Sequence, residues 1–527
     1  MAINNSIENF EMIVNDAFVQ KAQSLRPTLN KSEVLPVSSV AIERKGDDWV
    51  AVKQADWSET KGIELAPPES VCIDFGDHCV GYVTLKFASA GSPPDAPAYI
   101  RLKFGELPCE IAEKSEDYHG SIGAGWIQEE FLHIDILPAE IRLPRRYAFR
   151  YLEVKVLASS PKYRLTVEDA SCESVTSADW SKVEPLPESV PEHHRKMDAV
   201  SLKTMADCMQ DVFEDGPKRD RRLWIGDLRL QALTNYVTFH NDDLVKRCLY
   251  LFGGLLQNER HVGACLFVEP KLQIDDTALF DYALFFISCL KDYYENTGDR
   301  QTLEDLWEVA YHQIELAKNR LDENYLVRDS DDWWCFLDWA DGLNKQAGAQ
   351  GVLIVTLKEA LVLANEMKDG EKAEEIQKLL IKTINAASTY LWDEKKGFFR
   401  SGAQRQISWA SQIWLILAGV LPAEKNRQIL GRLEAKKGDK SIIGMVTPYM
   451  YHHYVEALFR CGLVDEAFKQ MDDYWGQMIE DGADCFFELY DPDNRYVSPY
   501  GSRIINSYCH AWSCTPSYFI RKWYAEE

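Results

Sequence analysis

The sequence lacks the short motifs by which several large enzyme classes are recognised. It contains no H-E-x-x-H, no G-x-S-x-G, no Walker A sequence and no G-x-G-x-x-G. Metal-dependent, acyl-transfer and dinucleotide chemistry therefore have no support. No C-x-x-C pair occurs among the 13 cysteines, which argues against a zinc ribbon. We expect no metal and no cofactor, which leaves carboxylate chemistry as the remaining class.

Positive charge is also scarce. The chain has 58 Lys and Arg residues against 83 Asp and Glu residues, a net charge of −25, and no run of basic residues dense enough to form a stripe. Nucleic acid or an anionic membrane would have to be held against this field. We therefore expect neither as a partner, whereas an uncharged small molecule is compatible with the charge.

Residues 1–18 have no basic start followed by an apolar core, so a secretory signal is not indicated. The apolar stretch around Ile413 to Leu421 is too short to span a bilayer. The cysteines are odd in number and scattered from Cys72 to Cys514, which favours free, buried thiols in a reducing compartment. These features predict a cytoplasmic protein.

The first third of the chain has the pattern of β-strands. Apolar and polar residues alternate in segments 71–76, 81–87, 99–106 and 149–157. A Gly- and Pro-rich turn at 91–97 separates the second of these segments from the third. Period-two alternation with one apolar face predicts an antiparallel β-sandwich. A parallel sheet would need long crossover helices, for which there is no room. We expect this domain to occupy residues 1–190, including an N-terminal segment and a linker.

The apolar period changes to 3.6 after a Pro- and charge-rich stretch at 185–196. Amphipathic helices are predicted over 303–317, over 353–364, and over 454–471 with a break at Gly462. About a dozen such helices fit in the remaining chain, which suggests a superhelix or a closed ring of hairpins. No fixed-length repeat is visible, which disfavours a regular solenoid. We expect an (α/α)6 toroid over residues 191–527.

The densest group of charged residues lies in EDGPKRDRRLWIGD, residues 214–227, around a Gly-Pro bend. The residues of this segment are compatible with two local structures. A helix through the segment would place Asp220, Trp224 and Asp227 on one face, whereas Gly226-Asp227 could instead cap the next helix. The segment is therefore either a salt-bridged helix entry or a carboxylate site. Its acidic candidates are Asp215, Asp220 and Asp227.

Three further stretches combine aromatic and polar residues. Glu488 follows Cys485, Phe486 and Phe487, so its carboxylate is either solvent-facing or buried with a raised pKa. His510 stands beside Trp512 in NSYCHAWS, and as a lone histidine it is either structural or part of a site. Residues 329–342 hold several tryptophans beside carboxylates, which suits either an apolar core or a sugar platform. The residues in question there are Trp333, Trp334, Asp338 and Trp339.

Residues 215–227 resemble the fingerprint of glycoside hydrolase family 78, the α-L-rhamnosidases, which runs D-x-P-x-R-[D/E]-x-x-x-W-x-G-D. DFGDHCVGYVTLKF and RLKFGE resemble the β-sandwich of the family, and FLDW at 336–339 and TPYMYHHYVEAL at 447–458 resemble its toroid. DCFFE and NSYCHAW resemble its closing motifs, a W/F-E pair and a later N-x-x-x-H. The matching fingerprint residues are Asp215, Pro217, Arg219, Asp220, Trp224, Gly226 and Asp227.

The resemblance implies an inverting exo-hydrolase that removes terminal α-L-rhamnose from a small rhamnoside or oligosaccharide. Asp220 would be the general acid and Glu488 the general base, roughly 6.5–9.5 Å apart as in inverting enzymes rather than about 5 Å as in retaining ones. A ring could bring them together because its first and last hairpins are neighbours. We also expect a homodimer. The implied sugar-binding residues are Asp215, Arg219, Trp224, Asp227, Asp276, Trp339 and His510.

The chain departs from the family in two respects. Most members have Glu where this chain has Asp220. If the alignment were shifted by one residue, Arg221 would occupy the acid position, although the gap-free match favours Asp220. We also expect the usual C-terminal β-domain of the family to be missing. Three alternatives stay open: a carbohydrate-binding protein without hydrolytic activity, another toroid enzyme such as a uronyl hydrolase, phosphorylase or lyase, and a helical protein-binding scaffold.

Overall fold

The computed structural model describes residues 11–525, which form an antiparallel sheet domain followed by a ring of helices. This confirms the predicted fold class. The sheet domain contains ten strands, and all its strand pairs are antiparallel. The strands are β1 (Asn30–Val34), β2 (Ser38–Lys45), β3 (Asp48–Asp56), β4 (Ile63–Leu65), β5 (Ser70–Gly91), β6 (Ala98–Gly105), β7 (Glu129–Ile134), β8 (Ala139–Arg142), β9 (Tyr147–Ala158) and β10 (Tyr163–Thr176).

Strand β5 is the longest strand and connects the two halves of the sheet. It pairs with β9 over residues 70–81 and with β10 over residues 81–91, within the strand order β1-β10-β5-β9-β6-β7. The apolar positions predicted by period two lie in the core of this domain. Ile73, Leu85, Ile100 and Val154 are each 0% exposed. The alternating pattern therefore identified the inward faces correctly.

Twelve helices form the ring within the described residues, and the last of them packs against the first. Ser517 and Arg521 both hydrogen-bond to the carboxylate of Asp198, at 2.6 and 2.7 Å, and so tie the two ends of the ring together. The helices are α1 (Glu192–Cys208), α2 (Ile225–Asn235), α3 (Asp242–Gly254), α4 (Phe280–Thr297), α5 (Arg300–Lys318), α6 (Gln346–Met367), α7 (Gly370–Ala386), α8 (Trp409–Leu417), α9 (Ala423–Glu434), α10 (Pro448–Arg460), α11 (Val464–Met471, continued by Asp472–Gly476 and Gln477–Glu480) and α12 (Pro516–Ala525).

Local sequence explains where several of these helices begin and end. The Thr447 side chain caps α10 by accepting from Met450 N at 3.2 Å, and Pro448 occupies the first turn, where its missing N–H costs nothing. Gly462 has φ +72°, a conformation that glycine adopts without strain, and separates α10 from α11. The predicted break at Gly462 is confirmed.

Helix α6 is long and apolar enough to cross a membrane by length and composition. In the ring, however, 78% of its most apolar stretch is buried. A helix that is apolar on all sides fits such a core position. The stretch around Ile413, singled out in the sequence, forms a shorter helix that ends at Leu417.

Residues 220–224 are not helical, so the single helical face proposed for Asp220, Trp224 and Asp227 is wrong. Helix α2 begins at Ile225, with Trp224 at its N-cap, because Leu223 and Trp224 pair as a short strand with Cys265 and Leu266. Asp227 therefore lies in the first turn of the helix rather than at its cap.

The thirteen cysteines are all free, and all except the half-buried Cys72 are buried. The prediction that most of them serve as small buried residues is confirmed.

Candidate active site

Three segments that are far apart in the sequence meet where the ring closes. The carbonyl of Asp215 accepts a 2.8 Å hydrogen bond from Ala511 N, and Glu488 N donates to Ser507 O at 3.0 Å. These backbone bonds join the loop before α2 to the two segments before α12. The predicted acid and base are thereby brought to the same place.

Asp215 is held firmly by its own loop. Its carboxylate accepts from the backbone N–H groups of Asp220 and Arg222, at 3.2 and 3.1 Å, and the residue is only 4% exposed. Burial, with the neighbouring charge of Asp220, raises the pKa of Asp215 to about 8. Asp215 is therefore mostly protonated at neutral pH and can donate as well as accept a hydrogen bond.

Arg219 contacts both predicted catalytic carboxylates. Its guanidinium forms an ion pair with Glu488 Oε2, while Nη1 lies 3.5 Å from Asp220 Oδ1. The Asp220 side chain is 23% exposed, whereas those of Arg219 and Glu488 are 3% and 6% exposed. Asp220 thus lies toward solvent and Glu488 in the interior.

Glu488 is buried, and burial raises its pKa, as one of the two alternatives from the sequence predicted. Arg219 opposes this rise, as does the hydroxyl of Tyr500, which donates to Glu488 Oε1 at 2.9 Å. Ser507 N also points to Oε2, at 3.4 Å. These contacts favour the ionised carboxylate that a base requires.

His510 lies among three carboxylates without forming an ordinary hydrogen bond to any of them. Its Nδ1 is 3.6 Å from Asp227 Oδ1, and its Nε2 is 3.9 Å from Asp215 and 4.0 Å from Glu488. His510 Nδ1 and Asp227 Oδ1 are buried and have no hydrogen-bond partner among residues 11–525. Unsatisfied buried polar atoms of this kind suit the hydroxyl groups of a bound sugar.

Burial shifts the pKa values of both residues of this pair toward their uncharged forms. Burial, together with Arg219, lowers the pKa of His510 well below its usual value. Burial raises the pKa of Asp227 well above its usual value, and the neighbouring carboxyl groups of Asp215 and Glu488 contribute to the rise. Neutral donors and acceptors are appropriate for an uncharged ligand.

Trp339 forms an aromatic wall beside this cluster. Its ring centroid lies 5.3 Å from that of Trp512 and 5.8 Å from that of Tyr500. The neighbouring Asp338 turns away from the site, because its carboxylate accepts from the backbone N–H groups of Val446 and Thr447. Asp338 is therefore a structural residue that fixes the loop carrying Trp339.

The remaining predicted residues are less closely connected. Trp224 is half-buried and packs edge-on to Tyr282, at 6.4 Å between centroids. Asp276 is half-buried before α4, and within residues 11–525 no hydrogen bond or ion pair joins it to the other predicted site residues. Trp333 and Trp334 line a separate cavity of about 770 Å³ whose wall contains none of the predicted catalytic residues.

Sequence reasoning missed Tyr500, although it contacts the predicted base. It follows Pro499 in a polar loop, and no periodic pattern or motif marks it. It also missed Lys218, which stands inside the fingerprint at a variable position and contacts two buried carboxylates of the sheet domain, Glu106 and Glu110.

A group near the domain interface has the composition of a metal site. Ligand atoms of His78, Asp207, Cys485 and Cys509 lie within 4.8 Å of one another. However, His78 Nδ1 is hydrogen-bonded to Asp207 at 2.6 Å, and the ammonium of Lys203 binds the same carboxylate. With the carboxylate occupied by a resident cation, the group is a hydrogen-bond network. That the reaction needs no metal stays a prediction.

Two family models match the two domains of the chain. The model of the glycosyl hydrolase family 78 alpha-rhamnosidase N-terminal domain matches residues 36–174, and that of the bacterial alpha-L-rhamnosidase six-hairpin glycosidase domain matches residues 192–523. No curated protein matches the chain.

Solved structures are also similar. A rhamnosidase from Klebsiella oxytoca with rhamnose bound is 48% identical, with a TM-score of 0.94 over 97% of this chain and 99% of that one. A family 78 rhamnosidase of Bacillus sp. GL1 is 21% identical, with a TM-score of 0.72 over 89% of this chain and 49% of that one, which shows the shared fold. Together with the model that matches most of the chain, these similarities show that the protein is a glycoside hydrolase and belongs to family 78, the α-rhamnosidases.

Proposed function

We propose that the enzyme removes terminal α-L-rhamnose from small glycosides by inversion, with Asp220 as general acid and Glu488 as general base. The observation that carries this proposal is that one guanidinium, that of Arg219, contacts both carboxylates. The two groups can be no further apart than one guanidinium with a contact on each side. Such a distance is compatible with the roughly 6.5–9.5 Å of an inverting pair.

The difference in exposure supports this division of roles. The acid must reach the glycosidic oxygen, which joins the sugar to a leaving group on the open side of the pocket. Asp220 is the more exposed of the two side chains, at 23%. The base must hold a water molecule on the far side of the anomeric carbon, which fits the 6% exposed side chain of Glu488.

In this mechanism Asp220 donates its proton to the glycosidic oxygen as the bond from that oxygen to the anomeric carbon breaks. A water oxygen forms the new bond to the anomeric carbon, and the proton of the water passes to Glu488. The products are the free sugar, with inverted configuration, and the alcohol of the leaving group. Exchange with solvent returns both carboxyl groups to their starting protonation states.

Two lines of support concern the sugar. The Klebsiella oxytoca rhamnosidase, 48% identical, has rhamnose bound. In this chain, Asp227 and His510, whose pKa values are both shifted toward the uncharged form, offer unsatisfied polar atoms to sugar hydroxyls, and Trp339 offers an apolar face for the C–H side of a pyranose ring. The proposed sugar is accordingly uncharged.

The experiment combines two isosteric variants with product analysis. With an aryl α-L-rhamnoside as substrate, we expect Asp220→Asn and Glu488→Gln to lose turnover, and Asp220→Asn to bind L-rhamnose with nearly parental affinity in calorimetry. Asp211→Asn is the matched control, because the half-buried Asp211 carboxylate pairs with Arg26 and contacts none of the predicted site residues among residues 11–525. Full turnover in either catalytic variant would remove that residue from its role.

Proton NMR of the first product tests the stereochemistry, since inversion of an α-rhamnoside releases the β anomer. An α anomer as the first product would contradict inversion. A panel of aryl glycosides tests the sugar, and a preference for any glycoside other than the α-L-rhamnoside would contradict the proposed specificity.

We also propose a reducing, cytoplasmic location, which the thirteen free cysteines support. Fractionation of the producing cells tests it. The homodimer expected from the sequence stays a prediction, and light scattering after size-exclusion chromatography would check it.

A further inference from the structure

The sheet domain contributes a buried carboxylate to the region behind the active site. Glu106 directly follows strand β6, and its side chain is only 1% exposed. Its Oε1 lies 3.1 Å from His78 Nε2. Its Oε2 accepts a 2.8 Å hydrogen bond from Tyr508 N and lies 3.1 Å from Lys218 Nζ. Both oxygens are thus engaged, one of them by two segments of the helical ring.

The first of these segments carries the proposed acid. Lys218 immediately precedes Arg219, and its side chain is 2% exposed. Its ammonium also lies 2.7 Å from Glu110 Oε1 and donates to the carbonyl of Asn506. Two carboxylates of the sheet domain therefore hold the loop from Asp215 to Asp220 in place.

The second segment adjoins the proposed base. Tyr508, whose N–H binds Glu106, follows Ser507 directly, and Ser507 is bonded to Glu488 through both backbone groups. Glu488 N donates to Ser507 O at 3.0 Å, and Ser507 N points to Glu488 Oε2 at 3.4 Å. A displacement of Tyr508 would therefore be passed on to the carboxylate of Glu488.

We propose that Glu106 is a positioning residue for the hydrolysis, which fixes the spacing between the loop of Asp220 and the segment that holds Glu488. This inference rests on the roles proposed for those two carboxylates. The link consists of charged and hydrogen-bonded groups in a buried region, where such bonds are strong and directional. Because a misplacement of about 1 Å can cost about 100-fold in rate, a rigid link of this kind has a direct effect on catalysis.

A second contact of the sheet domain supports the same conclusion. Ser121 N donates to Tyr500 O at 2.9 Å, and the Tyr500 hydroxyl binds Glu488 Oε1 at 2.9 Å. The sheet domain therefore reaches the proposed base by two routes, one through Glu106 and one through Ser121. The sheet domain therefore helps to hold the proposed base in place.

The test uses the full-length protein and the variant Glu106→Gln, which keeps the shape of the side chain but removes its charge and one acceptor. We expect kcat to fall about 10- to 100-fold with KM nearly unchanged. The matched control is Glu153→Gln, which removes a 2.6 Å bond to Arg101 within the sheet domain and contacts neither catalytic segment. The kcat of the Glu153→Gln control should equal that of the parent enzyme. Thermal melting followed by circular dichroism checks whether both variants are folded at the assay temperature.

Two further readouts separate positioning from a purely structural role. In Glu106→Gln the acidic limb of the pH–kcat profile should move, because the surroundings of Glu488 change, whereas loss of stability alone would leave the limb in place. The kcat losses of Glu106→Gln and Lys218→Met should also fail to add in the double variant, because both break the same link.

A folded Glu106→Gln protein with parental kcat and a parental acidic limb would overturn the inference, as would fully additive losses. If Glu106→Gln does not fold, Lys218→Met carries the test, with kcat and the position of the acidic limb as its readouts. Failure of the proposed function looks different, because Asp220→Asn or Glu488→Gln would then retain turnover whatever Glu106→Gln does.

Discussion

The hydroxyl of Tyr500 donates a 2.9 Å hydrogen bond to Glu488 Oε1, while the Arg219 guanidinium binds the other oxygen of the same carboxylate. Each oxygen of the proposed base therefore has a donor of its own. Both donors lower the pKa of Glu488 against the effect of burial. Two residues from different loops thus favour the ionised form of a buried carboxylate.

Tyr500→Phe should impair the base without removing the aromatic contact with Trp339. Loss of the donated hydrogen bond raises the pKa of Glu488, so the acidic limb of kcat/KM should move to higher pH. A hydrogen bond to a charged group contributes about 1.5–3 kcal/mol, so we expect kcat/KM on the acidic side of the limb to fall about tenfold or more. Tyr490→Phe, which loses a bond to Asp481 outside the site, is the control. An acidic limb at its parental position in Tyr500→Phe would contradict this account.

Arg219→Gln should destabilise the fold as well as the activity. It leaves Glu488 buried without its cation, and breaking one side of a buried ion pair costs about 3–5 kcal/mol. Urea denaturation measures this loss. The double variant Arg219→Gln/Glu488→Gln should recover much of the stability, because no unpaired buried charge remains. A double variant no more stable than Arg219→Gln would show that the ion pair is not the cause.

Asp215→Asn should change the alkaline side of the pH profile. The pKa of Asp215 is raised to about 8, so above that pH the parental carboxyl loses its proton beside Asp227 and can no longer donate to a sugar hydroxyl. We expect parental kcat/KM to decline as pH rises through about 8 and the amide variant to lack that decline. A decline of equal size in both proteins would exclude Asp215 as its source.

The same residue makes a prediction about stability. The pKa of Asp215 is higher in the folded protein than the value of about 3.9 expected when unfolded, so its ionisation opposes folding increasingly between about pH 4 and pH 8. Asp215→Asn should therefore raise the Tm relative to the parent most at pH 8 and above, and least below pH 4. Differential scanning fluorimetry across this range checks the sign, with Asp211→Asn as the control.

Gly120→Ala tests the contact between the sheet domain and Tyr500. A Cβ at Gly120 would lie 2.5 Å from Tyr500 O and 2.4 Å from the Tyr118 hydroxyl, so the backbone of Tyr500 has to shift. We expect a several-fold fall in kcat with the fold retained. Gly123→Ala is a matched control in the same loop, since nothing lies within 4 Å of its added Cβ. Equal kcat in the two variants would show that this contact does not position Glu488.

Period-two alternation correctly predicted the inward faces of the sheet, because the alternation of apolar and polar residues along a strand shows which side chains face the core. The same pattern gave segments 71–76 and 81–87 as separate runs, whereas the structure has one strand, Ser70–Gly91. The interruption at Asp77 and His78 is polar because His78 binds Asp207 of the ring and Glu106. A contact between domains therefore disturbed a local pattern.

The fingerprint predicted Asp215, Arg219, Asp220 and Asp227 as site residues, and the closing motifs predicted Glu488 and His510; the structure brings these six residues together where the ring closes. The fingerprint could not specify the conformation between Asp220 and Trp224. That segment is extended at its end because Trp224 pairs with Cys265, a partner that the sequence does not reveal.

The sequence by itself determined the two architectures, the apolar faces and the carboxyl groups available for chemistry, because each of these depends on residue type and short-range spacing. The tertiary structure alone decided that Tyr500 and Arg219 share the two oxygens of Glu488, and that Glu106 contacts the segments on both sides. These pairs are separated by up to 402 positions in the chain. Their proximity, and the pKa shifts that burial imposes, arise only when the ring closes against the sheet domain.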